Sequence, residues 1–570
     1  MASEKKNEEI HLFGFVVFVT LSERRNRRSI SSPPPSVRPQ NTKKQKKKEL
    51  RFRMSFQHQK RRHCWIVYCL FLIQQENILS NASIVNVPRN VRLYEDYNQA
   101  TGVLVSGGTS KGGTVVFLSK DSNVDDCRSS CSGYAERRCW SFVFLKEQKE
   151  CYAVLSPGFN PSYDKNAISG VLDWPCRTDS DCSLNGKCTK NGTCLCRPAW
   201  TGNRCETLKL ESPKKDFGYQ GVDGGHHTSS WGAAVLKGRR DGLWHMFASE
   251  MTEHCGIGAW AQNSRIIHAT SDTPEGPYRR SEVVWEVFSH EPEVVPGPNG
   301  EYIMFFTADL RSPHGDCNCC REDQGPCDGS TGPGDCPDLL RDDDGSFMSW
   351  ASPNASGTKG WTWSDPVLIF PDYHGADTNF APIVLSNGSL VALWREWTEL
   401  GSRQFLATAS NWQDTTTYVQ HADRGELFPD LGAAGTEDQF LYLDENGNYH
   451  AVFHHMYGTG TATQWWLDAT GGHAFSPDGW TWTYTGVAWG NATGRYNTPA
   501  GQGAHISFQD GTTRTFTRLE RPHLIFADSE QLKGDPTHLI NSAQYGNGTD
   551  PGTGAKNDDA CYTIIRSIRS

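Results

Sequence analysis

The sequence predicts an all-β protein whose larger part is a five-bladed β-propeller. A hairpin pattern recurs between residues 215 and 570 at intervals of roughly 60 to 90 residues, a spacing typical of propeller blades. Outer apolar runs follow most of these hairpins, as the remaining strands of a blade would. Asn-Gly and Asp-Gly turns stand at one end of the hairpins, whereas charged residues collect at the other. Two smaller cysteine-rich modules precede this region.

The clearest hairpin lies at Gly435–His455. The apolar run Phe440–Leu443 leads into a turn that contains Asn-Gly, and a second run returns the chain over 449–453. Asn-Gly is the pair that best tolerates the positive φ angles of a tight hairpin. Two acids precede the first strand and two histidines follow the second, so antiparallel pairing brings them to one edge.

Other copies of the pattern have the same order of charge, strand, turn and strand. They begin near Ser229, His290, Asp377 and Gly503, and the outer strands are expected near Ile266, Phe347, Phe405 and His473. A β-sandwich of similar short strands is the alternative, although a sandwich would not repeat the order of acid, turn and charge. The predicted propeller covers 215–570 and carries a Cys-rich insertion at 311–344.

Composition restricts the partners and the compartment of this protein. The 570 residues have a net charge of −9, although residues 1–62 are strongly basic, so the remainder is acidic and nucleic acid is excluded as a partner. Nineteen cysteines and six glycosylation sequons indicate the secretory route. The sequons lie at Asn81, Asn191, Asn354, Asn387, Asn491 and Asn547. We therefore expect a protein that is secreted or on the extracellular face of the membrane.

The N-terminal region divides into an extension and a targeting segment. Residues 1–53 are predicted to be a disordered basic extension, because they are rich in Ser, Pro, Lys and Arg. Residues 54–82 have a basic stretch, a short apolar run and small residues, the order of a signal peptide. A membrane anchor is the alternative for this segment.

The first predicted module covers 95–174 and contains four cysteines. Two of them are spaced i, i+4, which suits one face of a helix, and apolar strand-like runs accompany the other two. The cysteines are Cys127, Cys131, Cys139 and Cys151. The module resembles a PAN/apple domain, which implies a helix joined by disulfides to a central strand. A zinc site is the rival interpretation, and the secretory context argues against it.

The second module, 174–207, has six cysteines in the order C-x5-C-x5-C-x5-C-x-C-x8-C. It resembles an EGF-like domain. This resemblance implies the pairs Cys176–Cys188, Cys182–Cys194 and Cys196–Cys205, whereas the sequence alone allows fifteen pairings. The acidic motif of calcium-binding members is incomplete before Cys176, so no calcium is predicted here. The module is expected to be a rigid spacer or a surface for a protein partner, a role that the PAN-like module would share.

One end of the predicted propeller collects acids, arginines and histidines from all its hairpins. Antiparallel alternation places the start of each first strand and the end of each second strand on the same face. Solvent exposure of loops explains some of this charge. It does not explain why the turns at the opposite ends of the hairpins lack such charged groups, so we predict a functional funnel. Its members include Glu250, His254, Glu291, Asp377, Arg395, Glu437, Asp438, His454, His505, Glu520, Arg521 and His523.

Such a funnel suits a sugar. Hydrolysis of a glycosidic bond requires one protonated carboxyl group and one ionised carboxylate, and crowded carboxylates have pKa values that are pushed apart. The repeats resemble the five-bladed glycoside hydrolases around glycoside hydrolase family 43. That resemblance implies an inverting mechanism, with carboxylates at the inner-strand starts of the first three blades. Here Ser229-Ser-Trp231 replaces the first acid, while Glu291 and Asp377 stand near the others.

The predicted catalytic residues are Glu437, Asp438, Glu291 and Asp377, and the predicted substrate-binding residues are Arg395, His454, Arg521, His523, Glu250 and His254. No cofactor is expected to be required, and a structural cation on the propeller axis is left open as an alternative. The predicted protein is a secreted or surface-attached glycosidase acting on a polysaccharide or a glycoprotein glycan. The alternatives are a non-catalytic carbohydrate-binding or adhesion protein on the same fold, and a membrane-tethered receptor ectodomain.

Overall fold

The computed structural model describes residues 115–569 with internal gaps. The gaps are 121–122, 133–138, 140, 148, 155–166, 172–174, 220–227, 253–255, 258–259, 310–344, 353, 372–377, 399–400, 429–435, 456–469, 491–503, 528–531 and 546–560. The predicted extension, targeting segment and Cys-rich insertion therefore lie outside the described residues. The described part belongs to one compact unit, Val87–Ser570, and the prediction of a mostly β chain is confirmed.

The first described element group is a four-stranded antiparallel sheet with one helix. Its order is β1-β3-β2-β4, and its elements are β1 (Val115–Lys120), α1 (Val124–Ser132), β2 (Ser141–Leu145), β3 (Glu150–Val154) and β4 (Ala167–Val171). Helix α1 begins after Asn123, whose side-chain oxygen accepts a hydrogen bond from the backbone N–H of Asp126. Its buried face carries Cys127, bonded to Cys151 on β3, and Cys131, bonded to Cys139.

A small disulfide-bonded module follows. It contains the strand pairs β5 (Gly186–Cys188) with β6 (Cys194–Cys196) and β7 (Trp200–Thr201) with β8 (Thr207–Leu208). The structure joins the six cysteines in the three pairs that the EGF-like resemblance implies, Cys176–Cys188, Cys182–Cys194 and Cys196–Cys205. Bridges of this kind stabilise a segment too short to build a hydrophobic core of its own.

Five four-stranded antiparallel sheets make up the rest of the described chain. The first contains β9 (Ser230–Lys237), β10 (Trp244–Met251), β11 (Ser264–Ser271) and β12 (Arg279–Trp285), and the short helix α2 (Trp260–Asn263) precedes β11. The second contains β13 (Ser289–Pro296), β14 (Tyr302–Ala308), β15 (Gly345–Ala351) and β16 (Val367–Leu368). The third contains β17 (Ala381–Val384), β18 (Leu390–Thr398), β19 (Gly401–Ala409) and β20 (Tyr418–Gln420).

The fourth sheet contains β21 (Thr436–Leu443), β22 (Tyr449–His455), β23 (Gly471–Ser476) and β24 (Thr483–Trp489). The fifth contains β25 (Ala504–Ser507), β26 (Thr513–Phe526), β27 (Pro536–Tyr545) and β28 (Cys561–Ser567). In the first four sheets the strands pair in chain order, with the hairpin of the predicted pattern on one side and the predicted outer strand third. Each of those hairpins closes in a short turn.

Neighbouring sheets bury both of their faces against one another in cyclic order. Apolar residues of the first sheet pack with those of the second in one cluster, and other residues of the first pack with the fifth in another. The third and fourth sheets share a further cluster. Phe305 and Phe380 join the second and third sheets with ring centroids 5.2 Å apart, and Phe440 and Phe526 lie between the fourth and fifth. Strands buried on both faces explain apolar runs such as Tyr302–Ala308.

The fifth sheet departs from the predicted hairpin at Gly503. Strand β25 pairs only with the first part of β26, and His505 on it is exposed and contacts Thr515, so this histidine does not face the other charged residues. The strand that packs between the fourth and first sheets is the second part of β26, which includes Glu520–Phe526. The prediction was wrong here because Asp510-Gly511 forms a hairpin turn like those of the other repeats, although this hairpin lies at the sheet edge.

A segment from before the first sheet completes the fifth. Tyr219 forms an antiparallel bridge with Thr563 of β28, and Leu210 forms one with Ile568. The two ends of the five-sheet region are therefore held by backbone hydrogen bonds rather than by the inner strands alone. Pairing the first segment with the last strand covers the edge of β28, which would otherwise present unpaired backbone groups.

The disulfide module packs against the fourth sheet and does not project as the expected spacer. Trp200 is 1% exposed, and its ring lies 4.8 Å from that of His473 on β23. Arg197 lies 3.5 Å from the carboxylates of both Asp444 and Asp535. The apolar surface of a module with almost no core of its own is thus buried on the neighbouring sheet.

Among the described residues, no helix combines the length and the apolar character that a membrane crossing requires.

Candidate functional site

One residue near the start of each inner strand has a left-handed backbone. The five residues are Gly232, Glu291, Asn379, Asp438 and Arg521, with φ between 42° and 58°. In the first, second, fourth and fifth sheets the strand pairing shifts register at this point, which marks a β-bulge, and in the third sheet the residue lies just before β17. Four of the five are not glycine, so the surrounding structure must hold a conformation that side chains disfavour.

The side chains of the four non-glycine residues meet at a single point, beside Gly232. The Arg521 guanidinium Nη1 lies 3.0 Å from Glu291 Oε2 and 3.2 Å from Asp438 Oδ1. Asn379 donates a 2.6 Å hydrogen bond to the same Glu291 oxygen and accepts one from the backbone N–H of Asp438. A Cβ atom at Gly232 would lie 3.2 Å from Arg521 Nε, so glycine leaves room for the guanidinium. Residues distant in the chain therefore converge.

A second group of charged residues lies beside the first. Arg395 donates a 2.7 Å hydrogen bond to Glu437 Oε2, and His454 Nδ1 lies 3.0 Å from Glu437 Oε1. His454 Nε2 faces Glu520 Oε1 at 3.9 Å, and Arg518 Nε approaches the same oxygen at 3.7 Å. That Glu520 oxygen is buried and has no hydrogen-bond partner among the described residues. We refer to Glu291, Glu437, Asp438 and Glu520 as the carboxylate cluster.

Two carboxyl groups of the cluster are held in the ionised form. Burial alone would raise the pKa of Glu291, but the positive charge of Arg521 and the hydrogen bond from His290 hold it well below its usual range. Burial opposes ionisation of Glu437 too, yet the hydrogen bond from His454 and the charge of Arg395 lower its pKa. Both carboxylates are therefore anionic across the physiological pH range.

The other two carboxyl groups are shifted in the opposite direction. Burial, reinforced by the negative charges of Glu437 and Glu291, raises the pKa of Glu520 to about 7. Burial and the neighbouring carboxylates likewise raise the pKa of Asp438 to about 7, although Arg521 opposes this shift. The neighbouring carboxylates overcome burial and raise the pKa of His454 to about 10, so this imidazole is a cation. Neutral and ionised carboxyl groups thus lie side by side.

Four of these residues are arranged so that they could hold a cation. Glu437, Asp438, His454 and Glu520 each offer one ligand atom, and the four atoms lie within 4.8 Å of one another. Two oxygen ligands on opposite sides of Ca²⁺ would be about 5 Å apart, so the spacing and the three carboxylates fit a hard cation. His454 would have to lose its proton to take part. The carboxylates would carry most of the coordination.

The structure brings together six of the predicted site residues and separates others. The six are Glu291, Arg395, Glu437, Asp438, His454 and Arg521, as described above. His523 is buried nearby, where its Nε2 lies 3.2 Å from Glu293 and its ring packs at a tilt against Phe440. Glu250 lies in another group, bound by Arg265, Arg280 and Tyr219. Asp377 and His254 lie outside the described residues.

Sequence analysis assigned no role to Asn379, and it placed Glu520 only among the charged strand ends. The sequence does, however, contain a similarity between the second and fifth sheets that would have located Glu520. The second sheet reads His-Glu-Pro-Glu around Glu291 and the fifth reads Glu-Arg-Pro-His around Arg521. A proline after the bulge cannot donate to the strand ladder, which suits an unpaired position. Aligning these two phrases would have placed Glu520 and Arg521 on the inner strand.

Of the predicted glycosylation sites, Asn191, Asn354 and Asn387 lie in the described part and are exposed. Asn387 Oδ1 accepts hydrogen bonds from the backbone and the hydroxyl of Ser389, the third residue of its sequon. Asn491 and Asn547 fall outside the described residues. The modification of all these asparagines stays a prediction.

No family model matches this chain, and no curated protein matches it. Similar solved structures include a family 117 glycoside hydrolase of the marine bacterium Zobellia galactanivorans, 13% identical over 64% of this chain and 90% of that one, with a TM-score of 0.37. They also include an α-L-arabinofuranosidase of Podospora anserina, in complex with cellotriose, at 14% identity over 64% and 96%, with a TM-score of 0.36. A mannose phosphorylase of Leishmania mexicana is similar at 11% identity over 64% and 89%, with a TM-score of 0.36. These values are too low to assign an activity to this chain.

Proposed function

We propose that this chain is a secreted or surface-attached protein of the glycoside hydrolase type. It would act on an extracellular polysaccharide at the carboxylate cluster, with the five sheets serving as the blades of a five-bladed propeller. The observation that carries the proposal is the proximity of two buried carboxyl groups in different surroundings: Arg395 and His454 contact Glu437, whereas one oxygen of Glu520 has no hydrogen-bond partner among the described residues. Burial accordingly raises the pKa of Glu520 to about 7, while the hydrogen bond from His454 and the charge of Arg395 lower the pKa of Glu437. That division of protonation states is what cleavage of a glycosidic bond requires.

In the proposed reaction, neutral Glu520 donates its proton to the glycosidic oxygen as the bond from that oxygen to the anomeric carbon breaks. As that bond breaks, ionised Glu437 attacks the anomeric carbon and forms a glycosyl ester, while Arg395 and His454 hold its carboxylate in place. Glu520, now ionised, then takes a proton from a water molecule that attacks the same carbon, which breaks the ester, frees Glu437 and releases the sugar. Ligand oxygens of Glu437 and Glu520 lie within 4.8 Å of each other, whereas inversion needs a separation of roughly 6.5–9.5 Å to admit water. The proposal is therefore direct attack by Glu437 and retention, not the inversion implied by the family resemblance.

The test is turnover of a panel of plant, algal and microbial polysaccharides by the full chain. We expect Glu520→Gln and Glu437→Gln to reduce kcat by about 10²–10⁴ on whichever substrate is cleaved, since each removes a proton-transfer or nucleophilic group. The matched control is Glu445→Gln, because the Glu445 side chain is 74% exposed on the turn between β21 and β22. Turnover that persists unchanged in both cluster variants would exclude these roles.

A carbohydrate-binding protein without catalysis is the second candidate, and a specific observation favours it. The ionised carboxylates already have binding partners within the chain. Arg395 and His454 contact Glu437, and Arg521 and Asn379 contact Glu291. The bulge of the first sheet carries only Gly232, which has no side chain to offer a substrate. Binding of a glycan with no product formed, and with unchanged affinity in Glu520→Gln, would select this function.

A further inference from the structure

A cavity of about 780 Å³ lies at the end of the five sheets opposite to the carboxylate cluster. Residues of all five sheets or of their hairpin turns line it. The first sheet contributes Arg239, the second 295–300, the third 383–387, the fourth Leu443 and the fifth 532–533. Its volume is within the range of 300–1,000 Å³ that is typical of small-molecule sites. This end of the sheets was expected to contain only short turns.

The cavity is separate from the carboxylate cluster. Strand β13 runs from Glu291 in the cluster to Pro296 at the cavity, five residues or about 17 Å at the usual rise of a strand. Buried side chains such as Phe440 and Leu524 fill the space between the two ends. A ligand in the cavity would therefore contact none of the carboxylates assigned to catalysis.

Among the described residues that line the cavity, the charged side chains are Arg239 and Lys533, both cationic. None of these described lining residues is acidic, although the chain as a whole has a net charge of −9. Arg239 donates a 2.9 Å hydrogen bond to the carbonyl of Gly300 and thereby holds the turn that forms one wall. Lys533 is exposed, and its ammonium makes no ion pair within the described residues. An anionic group is the natural partner for such a pair of cations.

The rest of the lining is apolar surface mixed with polar groups of the turns. Val295 and Ile383 are buried on one side, and Leu385 and Pro298 add further carbon surface. Asn299, Ser386 and Asn387 bring amide and hydroxyl groups to the rim. A pyranose ring combines an apolar face with hydroxyl groups, so it matches this lining, and a carboxylate on the ring would match the two cations.

We propose that this cavity is a second carbohydrate site, which binds a sugar acid such as a uronic acid residue through Lys533 and Arg239. The choice of a sugar rests on the proposed function, whereas the preference for an anion rests on the cavity alone. The chain would then hold an acidic polysaccharide at one end of the sheets while the carboxylate cluster acts at the other.

The test is calorimetric titration of the full chain with D-galacturonate and, separately, with D-galactose. We expect galacturonate to bind at least tenfold more tightly than galactose, and Lys533→Gln to remove that preference. Lys190→Gln is the matched control, because Lys190 is an exposed lysine on the disulfide module without an ion pair among the described residues. Circular dichroism would verify that each variant is folded.

Two additions make the result decisive. Glu437→Gln should leave galacturonate binding unchanged, so loss of hydrolysis and loss of this site can be told apart. Asn387→Gln removes a sequon on the cavity rim, so an attached glycan cannot hide the site. The proposal would be overturned by equal affinity for the two sugars, or by galacturonate affinity that survives Lys533→Gln. It would also be overturned if neither the unmodified chain nor the Asn387→Gln variant bound galacturonate at concentrations up to about 10 mM.

Discussion

At the scale of single residues, the site is built on five backbone positions that most side chains avoid. Each left-handed non-glycine residue costs on the order of 1–3 kcal/mol and persists only where its surroundings compensate. Here Arg521 supplies that compensation, because its guanidinium binds Glu291 and Asp438 from two other sheets. Glu520 is the exception in this network, since one of its oxygens is buried and has no hydrogen-bond partner in the part of the chain that the structure describes.

The pH dependence of stability should depend on Glu520. A carboxyl group whose folded pKa, about 7, exceeds its unfolded value of 4.5 is neutral at no cost below pH 4.5 and destabilises the fold as pH rises through 7. Glu520→Gln should therefore increase the free energy of unfolding at pH 8, by at most about 3 kcal/mol, and change it little at pH 4.5. Urea unfolding at both pH values measures the difference.

Glu445→Gln serves as the control for this measurement, because its exposed carboxylate should give the same small change at both pH values. A Glu520→Gln variant that is less stable at pH 8 than the unmodified chain would contradict the assignment of a raised pKa. It would mean that ionised Glu520 is stabilised by His454 and Arg518 more strongly than it is penalised by burial.

At the scale of elements, the disulfide module behaves as part of the five-sheet region. Its Trp200 packs on His473, its Arg197 approaches Asp444 and Asp535, and Thr207 donates a hydrogen bond to the carbonyl of Val487. Six cysteines at characteristic spacing predict the internal bridges. They carry no information about the surface on which the module rests, because docking depends on residues that follow much later in the chain, such as Asp444, His473, Val487 and Asp535.

Trp200→Ala should therefore destabilise the sheets as well as the module. Removing a fully buried tryptophan leaves a cavity and costs about 3–5 kcal/mol, so we expect a clear drop in Tm that is seen in the fluorescence of the whole chain. Leu195→Ala is the control on the same module, because Leu195 is 67% exposed. Unfolding of the sheets at an unchanged temperature would show that the module is only a spacer after all.

At the scale of the whole molecule, the region closes through the pairing of distant segments. Tyr219 forms a β-bridge with strand β28, and Leu210 forms one with Ile568 just after that strand. The residues that precede the first sheet therefore complete the last one. The same segment anchors the first sheet, because the Tyr219 hydroxyl donates a hydrogen bond to the buried Glu250. The candidate site depends on this closure, since Arg521 of the fifth sheet reaches Glu291 of the second beside Gly232 of the first.

Deleting residues 561–570 should abolish cooperative folding rather than trim an edge. The deletion removes β28 together with Ile564 and Ile565, and so exposes the apolar residues of the fifth and first sheets that these two side chains cover. We expect loss of the sharp thermal transition and aggregation on expression. Deletion of Ser570 alone is the control. A truncated chain with a cooperative transition near that of the full chain would show that closure is not required.

Much of the architecture was predictable from the sequence. Hairpin periodicity and turn residues are local signals, so they predict the mostly β chain, the first four hairpins and the third strands of those sheets. Local signals also misled at Gly503, because a hairpin at a sheet edge has the same apolar runs and the same turn as one at the centre. Only packing against the first and fourth sheets distinguishes Glu520–Phe526 as the inner strand.

For the candidate site, the sequence by itself determined the supply of acids, arginines and histidines at the strand starts and ends, because alternation of antiparallel strands follows from the order of runs and turns. The tertiary structure alone decided which of them meet: Asn379 joins Glu291 and Asp438, whereas Glu250 lies with Arg265 and Arg280. The tertiary structure also decided which carboxyl groups of the cluster are protonated. A pKa shift arises from burial and from charges a few ångströms away, and neither quantity is written in the local order of residues.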